Sequence, residues 1–150
     1  LLHAQQQWWV LAPRGNAARV LRSADGETFT EILLAAPPDS GTLTVQGLLA
    51  RDDGTLVAYG ERGSDCNEGT PDADGFRHGT QCRRWRPVVY VSADSGDTWH
   101  LSEPDGLAPP SGEVSLRLAD VVNDGTHLVA AGTVTGPDRM VRVRVAADIR

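Results

Sequence analysis

The chain of 150 residues contains no lysine; all 14 basic side chains are arginine. The missing lysine reads as codon usage in a GC-rich genome. With a formal charge of −6 and no basic stripe, the composition argues against a nucleic-acid partner. No segment approaches the roughly 20 apolar residues a membrane-spanning helix needs. No stretch keeps apolar residues at i, i+3, i+4, i+7 beyond two turns, which excludes a long amphipathic helix. Cysteine is limited to Cys66 and Cys82, and His3, His78, His100 and His127 are scattered singly. Zinc-type ligand clusters, a Ser-His-Asp arrangement and a phosphate-cradling loop are all missing. No cofactor and no metal are expected.

What is there is β-structure. Short apolar runs bounded by Gly, Pro, Asp and Ser predict strands at 7–12, 17–23, 28–34, 44–51, 55–61, 84–92, 98–102, 114–122, 126–134 and 140–146. Most are apolar on both faces, as expected for sheets sandwiched between neighbours. Met140 to Val145 instead alternates Val141, Val143 and Val145 with Arg142 and Arg144, which reads as a peripheral strand with one solvated face.

The segment Ser92-Ala93-Asp94-Ser95-Gly96-Asp97-Thr98-Trp99 joins two of these strands. A short Asp carboxylate can accept bonds from the backbone of its own turn, and glycine supplies a positive φ. Ser92 and Thr98 can tie the strand ends together, and Trp99 offers an apolar plate. Asp94 is therefore expected as a structural acceptor rather than a catalytic group. A shortened copy, Ser23-Ala24-Asp25-Gly26-Glu27-Thr28-Phe29, lies upstream.

Repetition surrounds both copies. Asp53-Gly54-Thr55-Leu56-Val57-Ala58 recurs as Asp124-Gly125-Thr126-His127-Leu128-Val129-Ala130. Ala36-Pro37-Pro38-Asp39-Ser40-Gly41 echoes Ala108-Pro109-Pro110-Ser111-Gly112. Val143 to Asp148 aligns with Val89 to Asp94, so Asp148 opens a clipped third copy. Thr55 and Asp94 are 39 positions apart against 22 for Thr126 and Asp148, an insertion of 17 residues in the middle unit.

The pattern Ser-x-Asp-x-Gly-x-Thr-Trp, complete at 92–99, resembles the Asp box of the sialidase/BNR-repeat β-propeller superfamily. That resemblance implies an all-β chain of four-stranded antiparallel propeller blades, spanning 1–35, 44–103 and 114–150. Two and a half blades are present, so 1–150 reads as a partial propeller within a longer protein. The remaining blades, or a second copy, are needed to cover its open faces.

The insertion carries both cysteines, Cys66 and Cys82, at the two mouths of one loop. A disulfide there would close about 15 residues, worth roughly 3 kcal/mol in the chain-entropy model. It would also imply an oxidising, extracellular or cell-envelope compartment. Asp72-Ala73-Asp74-Gly75 matches half of a Ca²⁺ loop, with Asp65 and Glu68 as further oxygens, but the other ligands of that pattern are missing. A solvated polar loop is the preferred reading. Blade geometry puts this loop on the end opposite the Asp boxes, the end that carries ligands in sialidase-type propellers. Asp65, Glu68, Asp72, Asp74, Arg77 and His78 are thus the candidate ligand-face residues.

A sialidase of this superfamily would use three arginines on the substrate carboxylate, a Tyr activated by a Glu, an Asp acid/base and an Arg-Ile-Pro-like motif. The nearest string to that motif, Ala12-Pro13-Arg14, does not match. Tyr59 and Glu61 alternate along one strand, which can place both on one face; Tyr59 and Tyr90 otherwise read as packed tyrosines with satisfied hydroxyls. No catalytic residue is assignable. The favoured expectation is an exported, non-catalytic scaffold binding a glycan, peptide or protein. The alternative is part of a sialidase-like glycoside hydrolase. Trp8 and Trp9 are a candidate sugar platform, although neighbours on a strand point to opposite faces and at least one belongs in the core.

Overall fold

The computed structural model describes residues 1–12, 18–37, 41–67, 70–71, 73–74, 77–78, 81–102, 107, 115–123, 127–135 and 141–147. Thirteen strands and no α-helix occur among them: β1 (Leu2–Ala4), β2 (Gln7–Leu11), β3 (Ala18–Ser23), β4 (Thr30–Leu34), β5 (Thr42–Ala50), β6 (Leu56–Asn67), β7 (Thr70–Pro71), β8 (Arg77–His78), β9 (Gln81–Ser92), β10 (His100–Ser102), β11 (Ser115–Asn123), β12 (Leu128–Thr135) and β13 (Val141–Ala147).

They form three antiparallel sheets and a small hairpin. Sheet I has the order β1-β2-β3-β4, sheet II β10-β9-β6-β5, and sheet III β11-β12-β13, while β7 pairs only with β8. The chain is therefore all-β with four-stranded antiparallel sheets. None of the described sheets closes on itself.

Sheet II is covered on both sides, as the alternation of its strands dictates. On β6 and β9, Leu56, Ala58, Val88 and Tyr90 face sheet I, where they meet Trp9, Ala18, Val20 and Leu34. Their sequence neighbours Val57, Tyr59, Val89 and Val91 point the other way and pack on Leu118, Val121, Leu128 and Ala130 of sheet III. A period of two residues thus builds two cores from one pair of strands. Trp9 is fully buried, and burying a side chain of that size contributes at least about 2 kcal/mol.

Each predicted strand appears, with ends displaced by a few residues. Strand β1 had no sequence signal. It pairs with β2 through a two-residue turn in which Gln5 and Gln6 have φ of 55° and 61°. Such a turn normally advertises itself by Asn-Gly; here glutamines take the left-handed conformation, and the Gln5 side chain donates to the Gly54 carbonyl of the β5–β6 turn.

The insertion also differs from expectation. It is not a loop from end to end, because the β6–β9 ladder runs on to Asn67 opposite Gln81. Ser64, Asp65 and Asn67 carry little β-propensity. Asp65 lies opposite Arg83, however, and accepts from its Nε at 3.0 Å, so cross-strand pairing extends what propensity would end. On β13 the pairing sets Arg142 opposite Val134 and Arg144 opposite Gly132; the surroundings of those arginine side chains lie outside the described residues, as does Asp148.

Candidate functional site

Both Asp-centred turns are organised by hydrogen bonds to the carboxylate. Asp94 Oδ1 accepts from Ser92 Oγ at 2.8 Å and Thr98 N at 2.9 Å, and Oδ2 accepts from Thr98 Oγ1 at 2.5 Å. Gly96 N donates to Ser92 Oγ at 2.8 Å, and Trp99 Nε1 donates to the Gly96 carbonyl at 3.2 Å. The shortened turn repeats the pattern. Asp25 Oδ1 accepts from Ser23 Oγ at 2.9 Å, Glu27 N at 2.9 Å and Thr28 N at 2.8 Å, while Gly26 N donates to Ser23 Oγ. Ser95 and Gly96 both have positive φ in the longer turn; Gly26 alone does so in the shorter one.

These bonds favour the ionised carboxylates. The Thr28 and Glu27 amides lower Asp25 to about 2, and the Thr98 hydroxyl and amide lower Asp94 to about 2. Asp53 is also lowered, by the Thr55 amide, which donates to its Oδ1 at 2.9 Å in the β5–β6 turn. Each of the three carboxylates accepts within its own turn, Asp94 through both oxygens and Asp25 through Oδ1.

The two tryptophans of β2 separate as strand geometry requires. Trp9 enters the core and meets Trp99 edge-on at 6.4 Å between ring centres. Trp8 faces the other way and packs on His3 at 4.4 Å. Phe29, the counterpart of Trp99, is 39% exposed. Arg22 reaches from sheet I to Asp97 of the 92–99 turn at 2.5 Å, and its guanidinium lies 5.9 Å from the Trp9 ring centre. Beside that bridge runs an open polar groove of about 490 Å³, lined by Gln7, Arg22, Asp25, Thr28, Thr30 and Asp97 among others. Sequence reasoning did not find it, since its walls come from two separate sheets.

At the opposite end of sheet II, Tyr59 and Glu61 do share one face. Both turn to β11 instead of to each other. Tyr59 donates to Asp120 Oδ1 at 3.0 Å, and Glu61 Oε2 accepts from Arg117 Nε at 3.2 Å and Nη2 at 3.1 Å. Burial and the Asp120 carboxylate raise the Tyr59 phenol. Tyr90, buried, donates to the Ala35 carbonyl at 2.8 Å, and burial pushes its phenol up to about 12. Glu61 is buried at 1% exposure, and its Oε1 has no partner among the described residues.

Around Glu61 stands a cluster that the sequence did not single out. Arg117 lies over the Trp85 ring at 4.8 Å, and Arg83 over the same ring at 5.9 Å. Ser115 Oγ accepts from Trp85 N at 3.0 Å, holding β11 against the edge of β9. Of the candidate ligand-face residues, Asp65 joins this end through Arg83, and Asp74 is exposed. Glu68 and Asp72 lie outside the described residues, as do the side-chain surroundings of Arg77 and His78, whose backbones form β8. Among the described residues no group of three or more His, Cys, Asp or Glu is placed to hold a metal ion, and no helix is long and apolar enough to cross a membrane. No protein-family model, curated protein or solved structure matches the chain.

Proposed function

We propose that the chain is part of an Asp-box β-propeller that acts as a non-catalytic scaffold, presenting a ligand surface at its cysteine-bearing end to a glycan, peptide or protein. The observation that carries this reading is the shared hydrogen-bond pattern around Asp25 and Asp94. In both turns the carboxylate accepts from the backbone and a hydroxyl beside it, which supports a structural acceptor. The four-stranded sheets stacked face to face support the propeller, as do β1, β5 and β11, the first strands of each sheet, where β5 lies against both others. Sheets I and III each keep one face that no other described sheet covers. Further blades or a second copy would cover them.

Tyr59 and Glu61 do not form the couple that the sialidase-like alternative would use. Glu61 is tied to Arg117, and the carboxylate within reach of the Tyr59 hydroxyl is Asp120 at 3.0 Å. Export would follow from a Cys66–Cys82 disulfide; the β6–β9 register sets the two residues opposite each other.

The test is turnover of a fluorogenic sialoside by the chain, with glycan and peptide binding measured in parallel. Binding without turnover is expected. Turnover above background would establish the sialidase-like hydrolase instead.

A further inference from the structure

We propose that the Arg117–Trp85–Arg83 cluster is a docking site for an acidic peptide segment, recognised through its Asp or Glu carboxylates. The proposal rests on the scaffold reading above and names the chemistry of its ligand. Arg117 spends one edge of its guanidinium, Nε and Nη2, on Glu61 Oε2. Its Nη1 has no partner among the described residues, and the side chain is 55% exposed. The outer Nη1/Nη2 edge is therefore open in the geometry that grips a carboxylate with two parallel bonds.

Glu61 and Trp85 hold that edge still. The carboxylate is almost wholly buried, and the indole lies against the guanidinium at 4.8 Å, so Arg117 has little rotamer freedom left to lose on binding. Arg83 repeats the device at the same indole. Its Nε is held by Asp65 at 3.0 Å, its guanidinium lies 5.9 Å from the Trp85 ring centre, and its side chain is 46% exposed. Two oriented forks thus flank one ring.

The two guanidinium forks set the ligand chemistry as a carboxylate. A neutral sugar carries no carboxylate for these donors to grip. What the cluster presents is charge-assisted donors, which match carboxylates on a flexible backbone. Glu61 and Asp65 offset the two positive charges, so binding is moderate and weakens with salt.

The experiment is fluorescence anisotropy of a fluorescein-labelled glutamate–glycine repeat peptide titrated with the chain at low ionic strength. Saturable binding is expected, with none for the glutamine–glycine counterpart. Arg117→Lys and Arg83→Gln should each weaken it about tenfold or more. Arg117→Lys keeps a cation against Glu61, so loss of affinity with unchanged circular dichroism and urea midpoint reports the lost fork. Failure of the wild-type chain to bind, equal binding by both variants, or capture of oligogalacturonate by these arginines in place of the peptide would overturn the proposal. Peptide bound elsewhere removes this site but leaves the scaffold reading. Glycoside turnover does the reverse.

Discussion

Gly96 sits so close to Trp9 that a Cβ built on it would lie 2.0 Å from the indole Cη2. The turn of one sheet is thus seated directly on the buried tryptophan of the next. Arg22 and Asp97 close the same joint from the solvent side.

Gly96→Ala should therefore destabilise the chain severely, by about 3 kcal/mol or more, because a positive φ and an overpacked contact act together. Gly26→Ala makes the control. Its φ of 79° is equally unfavourable, yet the nearest atom to the added Cβ is Trp8 Nε1 at 3.4 Å, an ordinary contact. Its cost should stay near 1 kcal/mol. Urea midpoints of the two variants check the contrast, and equal losses would refute the joint.

Asp25 and Asp94 make stability depend on acid. Each folded-state pKa is lowered to about 2 from an ordinary 3.8. The unfolded chain therefore binds the proton more tightly. Their contribution is complete above about pH 4 and disappears as pH falls through about 2. In Asp94→Asn the melting temperature should drop at pH 7, with the gap to wild type narrowing between pH 4 and 2. A gap of constant size across that range would show that the charge is irrelevant.

Tyr90→Phe leaves the Ala35 carbonyl without its donor and should cost about 1 kcal/mol, with the fold intact. In wild type, ultraviolet titration should show Tyr90 ionising near pH 12. Tyr59, beside Asp120, should also ionise above the usual tyrosine range. A phenol ionising at the ordinary value would place Tyr90 in water.

Protein produced in an oxidising compartment should carry the Cys66–Cys82 bond. Mass spectrometry with alkylation before and after reduction reads it directly. Two free thiols in natively exported material would refute the disulfide.

Much of the architecture was legible because strands are local. Val88, Val89, Tyr90 and Val91 are apolar in succession, which two-sided burial requires, and both faces are indeed covered. The Asp-centred turns were legible for the same reason: Ser92, Asp94, Gly96 and Thr98 bond within their own few residues. Strand β1 was invisible because Gln5-Gln6 has no turn signature. The outer rungs of the β6–β9 ladder were missed because Asp65 is an acceptable strand residue only where Arg83 lies opposite.

The sequence alone determined the all-β class of structure and the chemistry of the two Asp-centred turns, since those follow from the spacing of side chains along a pleated backbone. Only the tertiary structure decided that Trp9 seats Gly96, that Tyr59 and Glu61 are each claimed by β11, and that Arg117 lies over Trp85. These are meetings between sheets separated along the chain. Their partners are chosen by how the faces stack, which no local spacing encodes.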